Sequence, residues 1–237
     1  MRLFFITGTS RGIGKAIAEL LLADEKNKVI GIGRTSTIEH PQYGHHYADL
    51  SDRAVLKHFN FEQRSEVEEY YLINNAGSLG DIKHIGEVSM DSIDSSITIN
   101  LIAPAMLINA FVRDLNDGKR NLKILNISSG AANRAIESWS SYCASKAGLD
   151  MFSLVAAEDL AVNGNENVVI RSVAPGVIET AMQEQIRDAN DHDFLGVQHF
   201  RSLKSERRLK SPNQTAAQLV DLIIGSVGNA EVIQRLD

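Results

Sequence analysis

Cysteine is nearly absent from this 237-residue chain: Cys143 stands alone. A single thiol excludes an internal disulfide framework and gives no reason to expect an oxidising compartment. Proline is scarce too, at four residues, and there is no Pro/Gly/Ser linker, internal repeat or low-complexity tract. No domain boundary is marked, so one domain spanning 1–237 is expected, a length able to bury a sizeable core. No stretch approaches the ~20 residues of a membrane span, and residues 1–6 are too short for a signal-peptide core. Basic residues are outnumbered, 24 against 30, for a net charge of −6, which argues against binding nucleic-acid phosphates. The seven histidines lack ligand spacing, and adjacent His45 and His46 would face opposite sides of a strand, so no metal site is expected. The expectation is a soluble cytoplasmic protein that binds neither nucleic acid nor membrane.

What the chain does have is alternation. Buried-strand runs at 3–7, 29–33, 45–48, 70–74, 122–127 and 168–173 are separated by helical patterns. The helices are predicted at 13–23, 52–64, 91–115, 140–162 and 215–226, with a short seventh strand near Val232. In the first helix, Ile13, Ile17, Leu20 and Leu21 are expected to share a buried face. Strands joined through helices imply right-handed crossovers and a doubly wound parallel α/β sheet of about seven strands, helices on both faces. Such a sheet binds its ligand beyond the carboxyl ends of the strands. The polar, charge-rich segment 179–210 follows the sixth strand and is expected to cover that crevice as a lid.

The first strand leads into Thr7-Gly8-Thr9-Ser10-Arg11-Gly12-Ile13-Gly14, which opens the first helix. Gly8, Gly12 and Gly14 permit a tight turn and a close approach of pyrophosphate to backbone N–H groups. The strand–turn–helix context makes this a nucleotide site, although glycines in a turn alone would not. The second strand ends at Gly33-Arg34-Thr35, where an NAD-binding chain would usually carry a carboxylate for the ribose 2′-hydroxyl. Arg34, with Arg11, suits a 2′-phosphate and favours NADP(H); the bland alternative is two solvated charges. A second constellation is Ser129 with Tyr142 and Lys146, four residues apart on one helix face. A lysine ammonium beside a phenol is expected to draw its pKa down into a useful range, and Ser129 can bond a carbonyl oxygen.

These motifs, in this order, resemble the short-chain dehydrogenase/reductase family, with its single-domain Rossmann-type fold. The resemblance runs from Leu3 to at least Met182 and includes Thr7 to Gly14, Asp49-Leu50, Asn74-Asn75-Ala76-Gly77, Asn100, Ser129, Tyr142, Lys146 and Pro175 to Thr180. It implies that Tyr142 donates the proton, Ser129 polarises the carbonyl, Lys146 binds the ribose and tunes Tyr142, and Asn100 holds a relay water. It also implies adenine contacts from Asp49, Leu50, Asn75, Ala76 and Gly77. Pro175, Gly176, Val177, Ile178 and Thr180 would line the nicotinamide, with Ile178 and Thr180 holding its carboxamide. A narrower resemblance, in residues 126–131, 139–143, 174–177 and 180–183, is to the branch holding sepiapterin reductase and bacterial benzil reductases. It implies reduction of a small-molecule ketone, such as a vicinal diketone, with Trp139 and Met182 as apolar walls. The aspartate by which pterin-reducing members grip the pterin is matched here by Gln234, which favours an uncharged diketone.

Cys143 is expected to be a packed thiol, and residues 201–210, five basic against Glu206, a solvated face. The long helices leave apolar positions that fit a homodimer or homotetramer, or simply a monomer core. A generic 3-oxoacyl or hydroxysteroid-type reductase is the other enzymatic reading, and a non-catalytic NADP-binding redox sensor the reading from another class.

Overall fold

Seven strands lie side by side, all parallel, in a computed structural model that describes residues 1–225 and 231–236. They are β1 (Arg2–Thr7), β2 (Asn27–Gly33), β3 (Tyr43–Tyr47), β4 (Glu69–Asn74), β5 (Asn121–Ile127), β6 (Val168–Ala174) and β7 (Ile233–Arg235). Their spatial order is β3-β2-β1-β4-β5-β6-β7, so the winding reverses between β1 and β4. At such a reversal the loops leaving the two strands diverge, and a crevice opens at the carboxyl edge.

The strands are near-continuous apolar runs because both faces are covered. On one face Leu3, Phe5, Tyr70 and Leu72 join the core beneath helices α4 (Ala103–Leu115) and α5 (Ser140–Val162). The alternate residues Phe4, Ile6, Tyr71 and Ile73 face α1 (Gly12–Leu22) and α8 (Pro212–Ile224). Phe4 and Tyr71 stack across β1 and β4 with ring centres 4.2 Å apart. Each fully buried side chain of this size contributes about 1.5–3 kcal/mol before chain entropy is subtracted.

The predicted helix at 52–64 stops early. Only α2 (Arg53–Lys57) forms, capped by the Asp52 side chain on Ala54 N–H. Phe59 and Phe61 are both buried and pack on each other at 5.0 Å. Residues two apart cannot share one helix face, so burying both takes this stretch out of the helix. Leu20 departs as well: it is 43% exposed, because the buried face of α1 centres on Gly14, Ile17, Ala18 and Leu21. Helix α8 starts three residues before the prediction, at a Ser211–Gln214 capping box. Ser226, its predicted end, lies outside the described residues.

The predicted helix at 91–115 is α3 (Met90–Ile97), a π-helical turn (Thr98–Ile102) and α4, continuous over Met90–Leu115. With a mean hydropathy of 1.6 over an 18-residue window, this 26-residue helix is long and apolar enough to cross a membrane, contrary to the expectation that no stretch is. Half of its apolar window is buried inside this domain, where Leu107, Ile108 and Phe111 pack on the sheet core. Length and composition are here those of a core helix.

Segment 179–210 holds two helices beyond the five assigned from periodicity, α6 (Ala181–Arg187) and α7 (Val197–Ser205). Phe194, Val197, Phe200 and Leu203 recur every three residues and form a third apolar cluster with Trp139, Tyr142 and Ile186. Arg201 ties the two helices together: it donates to the carbonyls of Arg187 and Ala189, both at 3.0 Å, and pairs with Asp191. Lys204 and Arg187 both pair with Glu179. The basic residues expected to be only solvated are therefore partly structural.

Candidate active site

The loop after β1 depends on glycine. Gly8 and Gly12 have φ of 74° and 60°, which side chains rarely adopt. Gly14 is constrained by space instead: a Cβ there would collide with the Gly8 carbonyl oxygen and the Asn75 amide. Arg11, the N-cap of α1, is extended and gives no side-chain cap, and no acidic residue occupies the first turn. The first N–H groups of α1 thus keep their partial positive charge for an anion. Thr7 Oγ1 accepts from the N–H groups of Asn75 and Ala76, each at 2.9 Å, and the Asn75 amide donates back to Thr7 and Gly8 carbonyls. These bonds fasten the end of β4 to the end of β1.

A cleft of about 1080 Å³ runs along the carboxyl edge of the sheet. Gly8, Ser10, Arg11, Gly12 and Ile13 line it, followed by Arg34, Thr35, Asp49 and Leu50 near β2 and β3, and by Asn75, Ala76 and Gly77 after β4. Pro175, Gly176, Val177, Ile178 and Thr180 line it after β6, and Ser129, Tyr142 and Lys146 stand in the middle. Two residues named from the sequence lie behind the wall. Gly14 is the close-packing position just described. Asn100, fully buried in the π-helical turn, donates to the Ser78 carbonyl at 2.7 Å and to Ser145 Oγ at 3.1 Å, and accepts from Ser78 N–H at 2.8 Å. It pins the loop that follows Gly77. A π turn in a helix often marks a functional position, and nothing in local propensity signals it.

Arg11 and Arg34 are exposed and make no ion pair among the described residues. Asp49 accepts from the N–H and hydroxyl of Ser51 at 2.9 and 2.7 Å. Those two bonds, helped by the charge of Arg34 and opposed by burial, hold its carboxyl below the usual range. A hydrogen-bond chain missed in the sequence joins Thr9 Oγ1 to Tyr43 OH (2.8 Å), Tyr43 OH to His45 Nδ1 (2.8 Å), and His45 Nε2 to the Gly33 carbonyl (3.0 Å). It braces the glycine loop against the end of β2.

Tyr142 and Lys146 lie one turn apart on α5 and are both buried. The Lys146 ammonium is 5.9 Å from the Tyr142 ring centre and donates to the Ile127 carbonyl at 2.7 Å. Burial pushes its pKa down to about 8, against an opposing pull from the charge of Asp150. The Tyr142 phenol moves the other way from the expectation. Burial raises it, opposed by the Ser129 hydroxyl, and Lys146 is not among the groups that move it. Desolvation of the buried phenol is the larger of these effects. Ser129, the N-cap of a 3-10 turn at Gly130–Asn133, accepts from Ala131 N–H at 3.1 Å and keeps its own proton to donate.

The far wall is apolar. Trp139 meets Tyr142 edge to face, ring centres 5.9 Å apart, and packs on Phe194 and Phe200. Trp139 and Met182, named from the sequence, both line the cleft, as do Ile136, Gln183, Ile186 and Phe200, which were not. The helical stripe in α7 was the available signal for Phe200. Gln234 does not line the cleft; its amide donates to the Glu231 carbonyl, and the neighbouring Arg235 lines it instead.

Residues 2–191 match the sequence profile of the short chain dehydrogenase family. This chain is a member. It is 36% identical over 238 residues to a benzil reductase ((S)-benzoin forming) of Bacillus cereus, covering 94% of each chain. A benzil reductase ((S)-benzoin forming) of Bacillus subtilis strain 168 is 34% identical, with 98% and 97% covered. Among solved structures, a short-chain dehydrogenase/reductase of Saccharomyces cerevisiae superposes with a TM-score of 0.81 at 23% identity, over 99% of this chain and 96% of that one.

As a short-chain dehydrogenase, the protein is an oxidoreductase that interconverts C=O and CH–OH groups, and its family binds nicotinamide cofactors. The residues present fit such a dinucleotide. The glycine loop is packed to contact at Gly14, the first turn of α1 carries no acid, and Arg34, exposed and without an ion pair among the described residues, stands where β2 ends. Cys143, the free thiol, packs against the apolar cluster of Trp139 and is no part of the cleft. Among the described residues no cluster of metal-ligating side chains occurs.

Proposed function

We propose that this short-chain dehydrogenase uses NADPH to reduce one carbonyl of an aromatic vicinal diketone, with Tyr142 as the proton donor. The observation that carries the reading is the convergence of Ser129, Tyr142 and Lys146 in one cleft whose far wall is aromatic and apolar. The benzil reductases among the relatives support the substrate class.

The glycine loop and the N-terminus of α1 would hold the pyrophosphate, Arg11 and Arg34 the 2′-phosphate, and Lys146 the nicotinamide ribose. Asp49, Leu50 and Ala76 would border the adenine, and Ile178 and Thr180 the carboxamide. NADPH, when bound, supplies the hydride that adds to the carbonyl carbon. Ser129 donates a hydrogen bond to the carbonyl oxygen and withdraws charge from the carbon under attack. Tyr142 transfers its phenolic proton to that oxygen, completing the alcohol. A raised phenol pKa suits this direction, because Tyr142 holds its proton at neutral pH until a developing alkoxide takes it. The Lys146 ammonium below the ring then stabilises the phenolate until solvent returns the proton. Trp139, Met182 and Phe200 keep water from the reacting carbon and hold an aryl group.

Self-association belongs to the same reading, since Met151, Leu154 and Val155 are exposed apolar residues on α5; mass in solution tests it.

The test is NADPH oxidation by purified protein with benzil, sepiapterin, an acetoacetyl thioester and a simple aryl ketone. Benzil is expected to be turned over well above the thioester. Tyr142→Phe is expected to cost about 10²–10⁴ in turnover with little change in NADPH binding. Preference for the thioester would replace the substrate assignment, and an active Phe variant would refute the proton donor.

A further inference from the structure

Trp139 and Gln183 share a property that the reduction of a simple ketone leaves unused. Each is more than nine-tenths buried, each lines the cleft, and each presents a buried polar atom with no partner among the described residues: the indole Nε1 of Trp139 and the amide oxygen of Gln183. The Gln183 amide nitrogen makes no hydrogen bond to the described residues either. Most buried polar groups are paired, so two orphans in one wall call for a cause.

Their surroundings narrow the cause. Gln183 lies on the first turn of α6, one turn before Ile186, which packs in the same apolar cluster as Trp139. Trp139 is itself set edge-on against the Tyr142 ring, 5.9 Å between centres. Both residues therefore line the part of the cleft walled by Ile136, Met182, Ile186 and Phe200, and the two orphan atoms themselves are closed to solvent there. Ser129 and Tyr142 already account for the oxygen that is reduced. A ligand with aryl groups and only that oxygen would leave both orphans buried and unpaired. A ligand with a second oxygen on the adjoining carbon would give the indole N–H and the Gln183 amide N–H an acceptor once those side chains turn toward the cleft.

We propose that the Gln183 amide and the Trp139 indole N–H bind the carbonyl oxygen that is not reduced, and so make the enzyme selective for vicinal dicarbonyls over isolated aryl ketones. This rests on the reading of the chain as a diketone reductase and names the residues that carry the preference. The indole N–H is a donor only, and either end of the amide reaches the pocket by a half-turn about its last side-chain bond. A carbonyl oxygen accepts two hydrogen bonds, so one oxygen can take both the indole N–H and, after that half-turn, the Gln183 amide N–H.

The test compares benzil with deoxybenzoin, which keeps both phenyl rings and the reducible ketone and lacks the second oxygen. Because the two ketones differ in intrinsic reactivity, the readout is the change in the ratio of their kcat/KM values between wild type and variants. Gln183→Met, of similar length and without hydrogen-bonding ends, is expected to lower the benzil-to-deoxybenzoin ratio about 10- to 100-fold. Trp139→Phe, which keeps the aromatic wall and removes the N–H, is expected to lower it in the same direction. NADPH dissociation constants within about threefold of wild type certify that each variant is folded. A ratio unmoved in both variants, whatever their absolute rates, would overturn the assignment and leave the two residues as plain walls. Wild-type protein that reduces neither ketone would overturn the diketone reading itself, and this inference with it.

Discussion

Lys146 sits 5.9 Å below the ring centre of Tyr142, one helical turn further along α5, and spends a hydrogen bond on the Ile127 carbonyl at the end of β5. The two side chains are pushed by burial in opposite senses: the phenol upward and the ammonium down to about 8. At neutral pH the pair is therefore a neutral phenol above a charged lysine, the protonation state in which a carbonyl reductase must begin.

That pair predicts the pH dependence of reduction. Lys146 is charged below about 8 and loses its proton as pH rises through that value, whereas Tyr142, raised above its ordinary pKa, remains protonated. The rate of benzil reduction under kcat/KM conditions is expected to be flat at neutral pH and to fall as pH passes about 8. Asp150, buried and hydrogen-bonded by Ser172 at 2.6 Å, is the charge that resists the depression of Lys146. In Asp150→Asn that resistance is gone, so the falling limb is expected to move to lower pH. A limb that stays in place would show that another group controls it.

The same depression links Lys146 to stability. Its pKa is about 8 in the folded chain against an ordinary 10.5, so the unfolded chain binds more protons between those values. Stability from this group is fully present above 10.5 and is lost as pH falls through about 8, a cost of about 3 kcal/mol at neutral pH. Lys146→Met removes the buried charge at the expense of one hydrogen bond to Ile127. It is expected to unfold at higher denaturant concentration than wild type at pH ~7 while losing turnover. A variant less stable than wild type at that pH would mean that the ammonium is better solvated than its burial implies.

Much of this arrangement was legible in the sequence, for a reason that Tyr142 and Gly8 illustrate. Fixed local geometry places them: i and i+4 share a helix face, and a glycine that needs positive φ follows a buried strand. The sheet was legible because β1 and β4 carry unbroken apolar runs that only a doubly covered strand requires. What failed depended on partners distant in sequence. Phe61 leaves the helical pattern because Phe5 and Phe111 await it across the core, and Phe59 because it packs on His46 and Phe61. The expected fall in the Tyr142 pKa reversed because desolvation, set by Trp139 and the α7 stripe, is invisible in an i, i+4 spacing. Gln183 escaped notice because an amide on a short helix has no sequence signature; only its missing partner marks it.

Gly14 yields a prediction about the cradle. The added methyl of Gly14→Ala would press on the Gly8 carbonyl oxygen, which is backbone and cannot swing aside, and on the Asn75 amide. Relief requires moving the loop and breaking the Asn75 bonds to Thr7 and Gly8. A loss of about 1–3 kcal/mol in unfolding free energy is expected, together with weaker NADPH binding. Gly44→Ala is the control, since its Cβ would meet only Ile30 at 3.8 Å, an ordinary contact. If the two variants unfold alike, the close approach at Gly14 is more forgiving than its packing indicates.

Arg34 tests the proposed preference for NADPH. It follows Gly33 at the end of β2, is exposed, lines the cleft and makes no ion pair among the described residues, while its charge is felt by Asp49. A 2′-phosphate placed there would gain a charge-assisted bond of about 1.5–3 kcal/mol, and a ribose hydroxyl much less. Arg34→Ala is therefore expected to raise the KM for NADPH about 10- to 100-fold and to leave that for NADH nearly unchanged. Asp49 sharpens the contrast. Its carboxyl is held below the usual carboxylate range by Ser51, so in the proposed binding mode removing Arg34 leaves an uncompensated negative charge near the 2′-phosphate. That charge repels the phosphate and not the hydroxyl, and the loss should shrink as salt is added. Equal losses for both cofactors would place Arg34 outside the 2′-phosphate site and leave Arg11 as the arginine to replace next.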